Sequence, residues 1–158
     1  LVDRVGRENS LKQALATLND NYDYILVDTP PSLSLLTVNV LSYADEVIIP
    51  CQTHPYAYVA LSELQDTIEA VKAEINPGIK VTGLVATFYD SRTRVSKAVL
   101  DKLKADERTK DLLFDTVIRT NTTIADSAFV SKPVVFYRTT SYGALDYINL
   151  ADEVMGRG

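Results

Sequence analysis

An apolar run at residues 24–27 (Tyr-Ile-Leu-Val) ends on the acidic Asp28 and is broken at Pro30 and Pro31. The run predicts a parallel strand buried on both faces, since such strands need not alternate apolar with polar residues. In open α/β sheets, ligands bind where parallel strands end. A buried carboxylate there is costly unless it is paired or placed by a cation, so Asp28 is a candidate ligand of a Mg²⁺-phosphate group. The alternative is a helix N-cap or turn aspartate.

The apolar spacing along the chain predicts alternating helices and strands. Helices are expected over residues 7–20, 34–43, 61–75, 95–105 and 145–155, and strands over 46–51, 81–87 and 113–118. Thr123 and Asp126 have the spacing of a capping box that opens one more short helix, and residues 132–136 predict a loop with a short extended piece. The alternation implies an α/β fold with a mostly parallel sheet and helices on both faces. No linker divides the sequence, so we expect a single domain over 1–158.

Composition narrows the class of protein. The hydrophobic content of 46% suits one domain-sized core, and no apolar run approaches the length of a membrane span. With no basic-then-apolar leader either, the default expectation is a soluble, intracellular protein. The single Cys51 is expected to be small and buried, and the single His54 to lie in a loop or at the surface.

A net charge of −5 argues against a protein that coats nucleic acid with its whole surface, so any DNA contact must be local. The candidate stretch is basic and runs from Arg92 to Lys110. Its alternative is a solvated amphipathic helix, in which Val95, Val99 and Leu103 face the core and the charges face outward.

Motifs along most of the chain resemble the ParA/Soj family of DNA-partitioning ATPases. They include Asp28-Thr29-Pro30-Pro31-Ser32 with the strand before it, Val47-Ile48-Ile49-Pro50, Phe88-Tyr89-Asp90-Ser91-Arg92-Thr93, Ile118-Arg119-Thr120-Asn121, Ser131-Lys132-Pro133-Val134-Val135 and Ser141-Tyr142-Gly143-Ala144. Their order and spacing over about residues 7–155 make the match specific. The resemblance implies a P-loop NTPase-like fold.

The phosphate-binding loop of that family is not among these residues. It is glycine-rich and bears a lysine, because glycines let backbone N–H groups wrap phosphates while the lysine neutralises their charge. Gly6 is the only glycine in residues 1–27, and the only methionine is Met155. We therefore expect the chain to be the C-terminal portion of a longer protein, without the P-loop strand and inactive alone.

In the family, the missing strand separates the Asp28 strand from the strand at 47–49. In this chain those two strands pair directly with each other, or a strand from another segment lies between them. The third alternative is that the 158-residue chain is only marginally stable. We predict that the isolated chain exposes apolar sheet edge and associates.

The resemblance assigns nucleotide roles to particular residues. Asp28 is implied as the Walker-B-type aspartate that orients Mg²⁺ through a water, and ATP is the implied nucleotide. Thr29, Pro30 and Pro31 are implied to shape the loop that senses the γ-phosphate, and Thr87, Phe88 and Ile118 to line the adenine pocket. Family members often carry proline where this chain has Ile118, and Phe88 reads equally as core filler.

The family also binds DNA without sequence preference, as an ATP-bound homodimer. The implied DNA-binding residues are Arg92 and Arg119 first, then Arg94, Lys97 and Lys132. Contacts to phosphates predict sequence-independent, salt-sensitive binding. The resemblance further implies plasmid or chromosome partitioning, a centromere-binding ParB-like partner, no membrane, and a cytoplasmic, nucleoid-associated protein.

Three other functions remain as alternatives. A MinD-like positioning ATPase is disfavoured, because it needs a basic amphipathic C-terminal helix and residues 151–158 are short and largely acidic. A phosphoacceptor module built on Asp28 and Lys132 is disfavoured by the number of elements between them. A non-catalytic fragment or interaction unit is a serious competitor for the chain without its P-loop.

Overall fold

A computed structural model describes residues 10–16, 18, 21–29 and 34–157 of the chain. The described elements are α1 (Ser10–Leu15), α2 (Leu35–Tyr43), β1 (Glu46–Gln52), α3 (Pro55–Glu74), β2 (Lys80–Thr87), α4 (Arg94–Ala105), α5 (Thr122–Phe129), α6 (Val134–Tyr137) and α7 (Tyr142–Arg157). The described helices and strands alternate through the middle of the chain, from α2 to α4. The α/β fold class is confirmed.

The described sheet is smaller than the sequence predicts. β1 and β2 are neighbours in a two-stranded sheet. The strand expected at 113–118 appears only as two isolated parallel bridges beside β2, Leu84 with Leu113 and Tyr89 with Arg119. Backbone hydrogen bonds such as Ile118 N to Ala86 O, 2.9 Å, still hold this segment against β2.

The strand predicted before Asp28 is wrong for the described residues. Residues 24–29 are in no strand, and the side chains of Tyr24 and Leu26 are 72% and 90% exposed. Among the described residues, no backbone hydrogen bond joins 24–29 to another segment. Since a strand is stabilised by a paired neighbour, the apolar sequence alone does not produce one here.

The chain divides into two compact units, Leu1–Val47 with Ser62–Lys80, and Ile48–Leu61 with Val81–Gly158. The single-domain expectation stays a prediction. In the first unit, α1 meets α2 through Leu11 N, which donates to Asn39 Oδ1 at 3.3 Å. The Asn76 amide donates to the carbonyls of Leu41 and Ala44, both at 2.9 Å, and so fixes the end of α2.

The second unit has a core of Val85, Phe114 and Ile118, against which Leu150 and Val154 of α7 pack. Its helix α4 buries Ser96, Val99, Leu100 and Leu103. Val95 is 49% exposed, so its predicted core position is wrong. The buried face of α4 keeps the predicted Val99 and Leu103 and takes in Ser96 and Leu100, and Thr93 Oγ1 accepts from Ser96 N at the start of the helix.

Two local predictions nearby are also corrected. The cap of α5 is Asn121, whose Oδ1 accepts from Thr123 N at 2.8 Å, rather than a capping box begun by Thr123. Residues 134–137 form the short helix α6 instead of an extended piece.

The remaining expectations concern single residues. Cys51 is 3% exposed as expected, and burial raises the pKa of its thiol to about 11. His54 lies exposed in the turn before α3, also as expected. None of the described helices has the length and apolar character to cross a membrane.

Candidate functional site

The loop that follows β2 occupies the sheet edge where ligands are expected. Thr87 ends β2, and Phe88 has a φ of 52° in the left-handed region, which is uncommon for a bulky residue. Its side chain is 63% exposed, so the core-filler interpretation of Phe88 is wrong. Such strained backbone persists only where its surroundings hold it, and it concentrates at functional sites.

A buried pair of hydroxyl groups holds this loop. Thr53 Oγ1 donates to Phe88 O at 3.1 Å and lies 3.0 Å from Ser96 Oγ. Since the Thr53 hydrogen is used on Phe88, Ser96 donates to Thr53, and its oxygen accepts from Asp90 N at 3.4 Å. The chain of bonds ties the end of β1 to both the loop and α4, so residues 88–92 are held in place.

Arg92 is displayed at the tip of the loop. Its Nε and Nη2 donate to the two carboxylate oxygens of Asp90 at 3.0 and 2.9 Å, and its backbone N donates to Oδ1 at 2.9 Å. These bonds, those from the Arg92 side chain first, lower the pKa of Asp90 to about 2. The Arg92 side chain is still 87% exposed and remains available to a ligand.

Arg119 lies beside the same loop. Tyr89 N donates to Ile118 O at 3.1 Å and Thr120 N donates to Tyr89 O at 3.0 Å. The Arg119 guanidinium donates from Nη2 to Asp146 Oδ1 at 2.6 Å, and its carbon lies 4.2 Å from the centre of the Tyr142 ring. Hydrogen bonding to Asp146 raises the pKa of Arg119 against the effect of desolvation.

An open cleft of about 390 Å³ lies next to this ion pair. Its lining includes residues 115–117, Arg119, Asp146 and Asn149. Glu153 of α7 lies close by and accepts from Asp115 N at 2.7 Å and Thr116 N at 2.9 Å. Hydrogen-bond donors in the cleft wall are thus already used by side chains of α7.

The other predicted site residues are distributed as follows. Ile118 is 4% exposed and packs in the core, so its side chain is not displayed to a ligand. Arg94 and Lys97 on α4 and Lys132 after α5 are exposed, and none forms an ion pair with a described residue. Their roles stay predictions.

Asp28 is exposed in the first unit, so the expectation of a buried carboxylate is wrong, and Thr29 is partly buried. Among the described residues Asp28 accepts no hydrogen bond, and the residue at the N-cap of α2 is Ser34, so nothing described supports the cap or turn alternative. Pro30 and Pro31 lie outside the described residues. Within the described ranges no three His, Cys, Asp or Glu residues cluster to hold a metal ion. A single exposed carboxylate such as that of Asp28 would suit a Mg²⁺ that takes its other ligands from water and phosphate.

Sequence reasoning missed Asp146, Tyr142, Thr53 and Ser96. Asp146 is 27 residues from Arg119, and Ser96 is 43 residues from Thr53. Such pairs leave no signal in local spacing, because they form only when α7 or α4 packs on the sheet. Only the family motif around residues 141–144 pointed to the neighbourhood of Asp146.

Similar proteins give the family context for this site. A sequence model of a protein family described as an AAA domain matches residues 1–81. The chain is 39% identical over 158 residues to the sporulation initiation inhibitor protein Soj of Bacillus subtilis, covering all of this chain and 62% of that protein. It is 38% identical over 157 residues to the chromosome partitioning protein ParA of Myxococcus xanthus, covering 99% of this chain and 55% of that protein.

A similar solved structure is cobyrinic acid a,c-diamide synthase from Mycobacterium smegmatis with bound ATP analog and magnesium. It matches with a TM-score of 0.79 at 34% identity, over 98% of this chain and 56% of that one. The chain therefore spans a little over half the length of these proteins.

Proposed function

We infer the function of this chain from its family: it belongs to the AAA-domain proteins of the ParA/Soj family. We propose that it is part of an ATPase that partitions plasmid or chromosomal DNA through ATP-dependent dimerisation and non-specific DNA binding. The observation that supports this most is the hydrogen-bonded loop after β2, which displays Arg92 and pairs through Tyr89 with the segment that contains Arg119.

ATP and Mg²⁺ are the proposed cofactors. The solved cobyrinic acid a,c-diamide synthase binds an ATP analog and magnesium. We propose that Asp28 orients Mg²⁺ through a water, with Thr29, Pro30 and Pro31 around the γ-phosphate. In the second unit, Thr87 and the exposed Phe88 suit contact with adenine, since an exposed ring can stack on a base.

Ile118 acts differently in this proposal from what the family resemblance implies. Its side chain fills the core, and its backbone bonds to Ala86 and Tyr89 hold the segment that ends in Arg119. We propose that it supports the adenine pocket from behind without touching the base.

The DNA-binding surface is local, because a chain of net charge −5 repels DNA over most of its surface. Arg94, Lys97 and Lys132 supply full positive charges there, since no described carboxylate pairs with them. Arg92 and Arg119 add phosphate contacts in competition with Asp90 and Asp146. Contacts of this kind are to phosphates and carry no sequence information.

The proposed partners follow from the family. They are a second copy of the protein in the ATP-bound state and a ParB-like centromere-binding protein, in the cytoplasm on the nucleoid. No described feature favours membrane positioning. Because the 158 residues contain no glycine-rich, lysine-bearing loop, we propose that they do not hydrolyse ATP by themselves.

Charge reversal tests the DNA-binding surface. In the protein that carries these residues, saturated with an ATP analogue and Mg²⁺, Arg94→Glu and Lys97→Glu are each expected to weaken binding to a mixed-sequence DNA duplex. Each should reduce the slope of log affinity against log salt by about 1, as loss of one phosphate contact predicts. Lys72→Glu, an exposed reversal on α3, serves as the control and should change neither quantity by as much.

Two outcomes would count against the proposal. Equal DNA binding by Arg94→Glu, Lys97→Glu and the unmodified protein would show that the proposed DNA-binding surface is wrong. Unchanged Mg²⁺-dependent ATP binding and hydrolysis after Asp28→Ala would remove the role of Asp28.

A further inference from the structure

We propose that Asp146 is a positioning residue that limits the attraction of Arg119 for DNA phosphates by cancelling its charge. The inference rests on the proposed function, since it assigns a determinant of affinity to that DNA surface. Asp146 is not among the predicted DNA-binding residues, but in this proposal it controls Arg119, which is one of them.

The contacts between the two residues are unusually complete. Arg119 Nε lies 3.1 Å from both carboxylate oxygens of Asp146, and Nη2 donates to Oδ1 at 2.6 Å. The backbone N of Arg119 also donates to Oδ2 at 3.0 Å. Asp146 therefore binds the side chain and the main chain of the same residue, which fixes the guanidinium relative to the carboxylate.

Burial makes the cancellation effective. The Asp146 side chain is 6% exposed, whereas that of Arg119 is 42% exposed. A carboxylate shielded from water and salt is screened less than an exposed one, so its negative charge offsets that of Arg119 at any ionic strength used for DNA binding. An approaching phosphate meets a neutral pair in place of a cation.

The geometry leaves Arg119 able to act once the carboxylate charge is removed. Its Nη1 donates to no described residue, and the ring of Tyr142 lies against the guanidinium. Tyr142 therefore limits the freedom of the side chain while one edge of the guanidinium stays unused. The ion pair of Asp90 with Arg92 differs from that of Asp146 with Arg119 in exposure. The Asp90 side chain is 23% exposed and the Arg92 side chain is 87% exposed.

The test is Asp146→Asn in the protein that carries these residues, with an ATP analogue, Mg²⁺ and a mixed-sequence DNA duplex. Asparagine keeps an oxygen that accepts from Arg119 but removes the charge. The slope of log affinity against log salt is expected to steepen by about 1, and affinity at 0.1 M salt to rise about 5- to 10-fold. Asp152→Asn, an exposed neutralisation on the same helix, makes the same change in net charge and should give less than half that change in slope.

The double variant Asp146→Asn/Arg119→Gln removes both charges and leaves neither unpaired. It is expected to bind DNA within about twofold of the unmodified protein, because a neutral pair replaces a neutral pair. It also decides the question if Asp146→Asn alone fails to fold. A loss of about one unit of slope in the double variant would overturn the proposal, since Arg119 would then contact phosphate in full despite Asp146.

The remaining outcomes are separate from one another. If the folded Asp146→Asn protein binds no more tightly than Asp152→Asn, the proposal is wrong while the DNA surface stands. If the unmodified protein shows no salt-dependent DNA binding with ATP analogue bound, the proposed function itself fails.

Discussion

Gly83 of β2 lies against the ring of Phe114, where no further carbon fits. A Cβ built at Gly83 overlaps the Cε and Cζ atoms of that ring. Phe114 is 1% exposed, and the Arg157 guanidinium lies 4.2 Å from the ring centre, so the ring has little room to move. Gly83→Ala is expected to lower the free energy of unfolding by about 1–3 kcal/mol, as overpacking of a tight core does. Urea unfolding followed by circular dichroism measures it.

Gly156 supplies the matched control for that substitution. Beyond its chain neighbours and the backbone of α7 itself, no heavy atom of the described residues lies within 4 Å of a Cβ placed there, at the end of the helix. Gly156→Ala should be neutral or stabilise by up to about 1 kcal/mol through helix propensity. Equal effects of the two alanines would show that the Phe114 ring yields without cost.

Individual residues differ in how far the sequence predicts them. Cys51 and His54 followed their local context, a strand end and a turn. Asp146 did not, because its partner Arg119 is reached only when α7 packs on the segment beside β2. Phe88 was ambiguous in sequence, since an aromatic residue after a strand fits a core as well as a ligand site. In the structure the Thr53 hydroxyl donates to Phe88 O, and the Phe88 side chain is exposed.

At the scale of elements, side chains of α7 bond to the backbone of residues 112–119. Arg157 donates to the carbonyls of Leu112 and Leu113, both at 2.9 Å. Glu153 accepts from Asp115 N and Thr116 N, and Asp146 from Arg119 N. Apart from Leu112 O, which also accepts from Leu84 N of β2, these are backbone groups that β2 leaves unbonded and that side chains of α7 satisfy.

Those contacts predict how stability depends on pH. Burial raises the pKa of Glu153, but the hydrogen bonds from Thr116 and Asp115 outweigh it and hold the pKa below its ordinary value of 4.5. A carboxylate with a lowered folded pKa stabilises the fold above its unfolded pKa, and this contribution is lost as pH falls through the folded value. The unfolding midpoint should therefore drop as pH falls below about 4.5, and Glu153→Gln should reduce that dependence.

Thermal unfolding between neutral pH and pH 3 checks this expectation, with Asp152→Asn as control. Asp152 is exposed on the same helix and should leave the pH dependence nearly unchanged. If Glu153→Gln keeps the full loss of stability in acid, other carboxylates such as Asp90 account for it.

Element types were more predictable than strand pairing. Helices α2, α4 and α7 and strands β1 and β2 carry clear periodic patterns, and their bounds agree closely with expectation. Residues 134–137 (Val-Val-Phe-Tyr) favour a strand by propensity, yet they form α6 after Pro133 because tertiary context overrides local preference. The segment at 113–118 shows the converse. Its apolar pattern predicts a strand, but the pattern cannot reveal that side chains of α7 form hydrogen bonds with its backbone groups.

At the scale of the whole molecule, motif order identified the family, because it draws on landmarks spread along the chain. The fold class followed from the alternation of elements, which any α/β protein must show. That residues 24–29 are in no described strand did not follow from the sequence pattern. Whether an apolar run becomes a buried strand depends on a neighbour that the run itself does not encode.

The exposed apolar side chains of that run predict how the 158-residue chain behaves in solution. Tyr22, Tyr24 and Leu26 are 63%, 72% and 90% exposed, and an exposed apolar patch with unpaired backbone favours association. Leu26→Lys is expected to raise the monomer fraction while changing the free energy of unfolding by less than about 0.5 kcal/mol, because the side chain is not packed. Light scattering after size-exclusion chromatography, over a range of protein concentrations, measures the monomer fraction.

Val59 on α3 is the matched control, at 65% exposed. If Val59→Lys raises the monomer fraction as much as Leu26→Lys, association depends on overall charge and not on the segment at 24–27. A chain that is monomeric without substitution and melts sharply would contradict the prediction outright. With either result, the exposed apolar run at 24–27 would not be the cause of association.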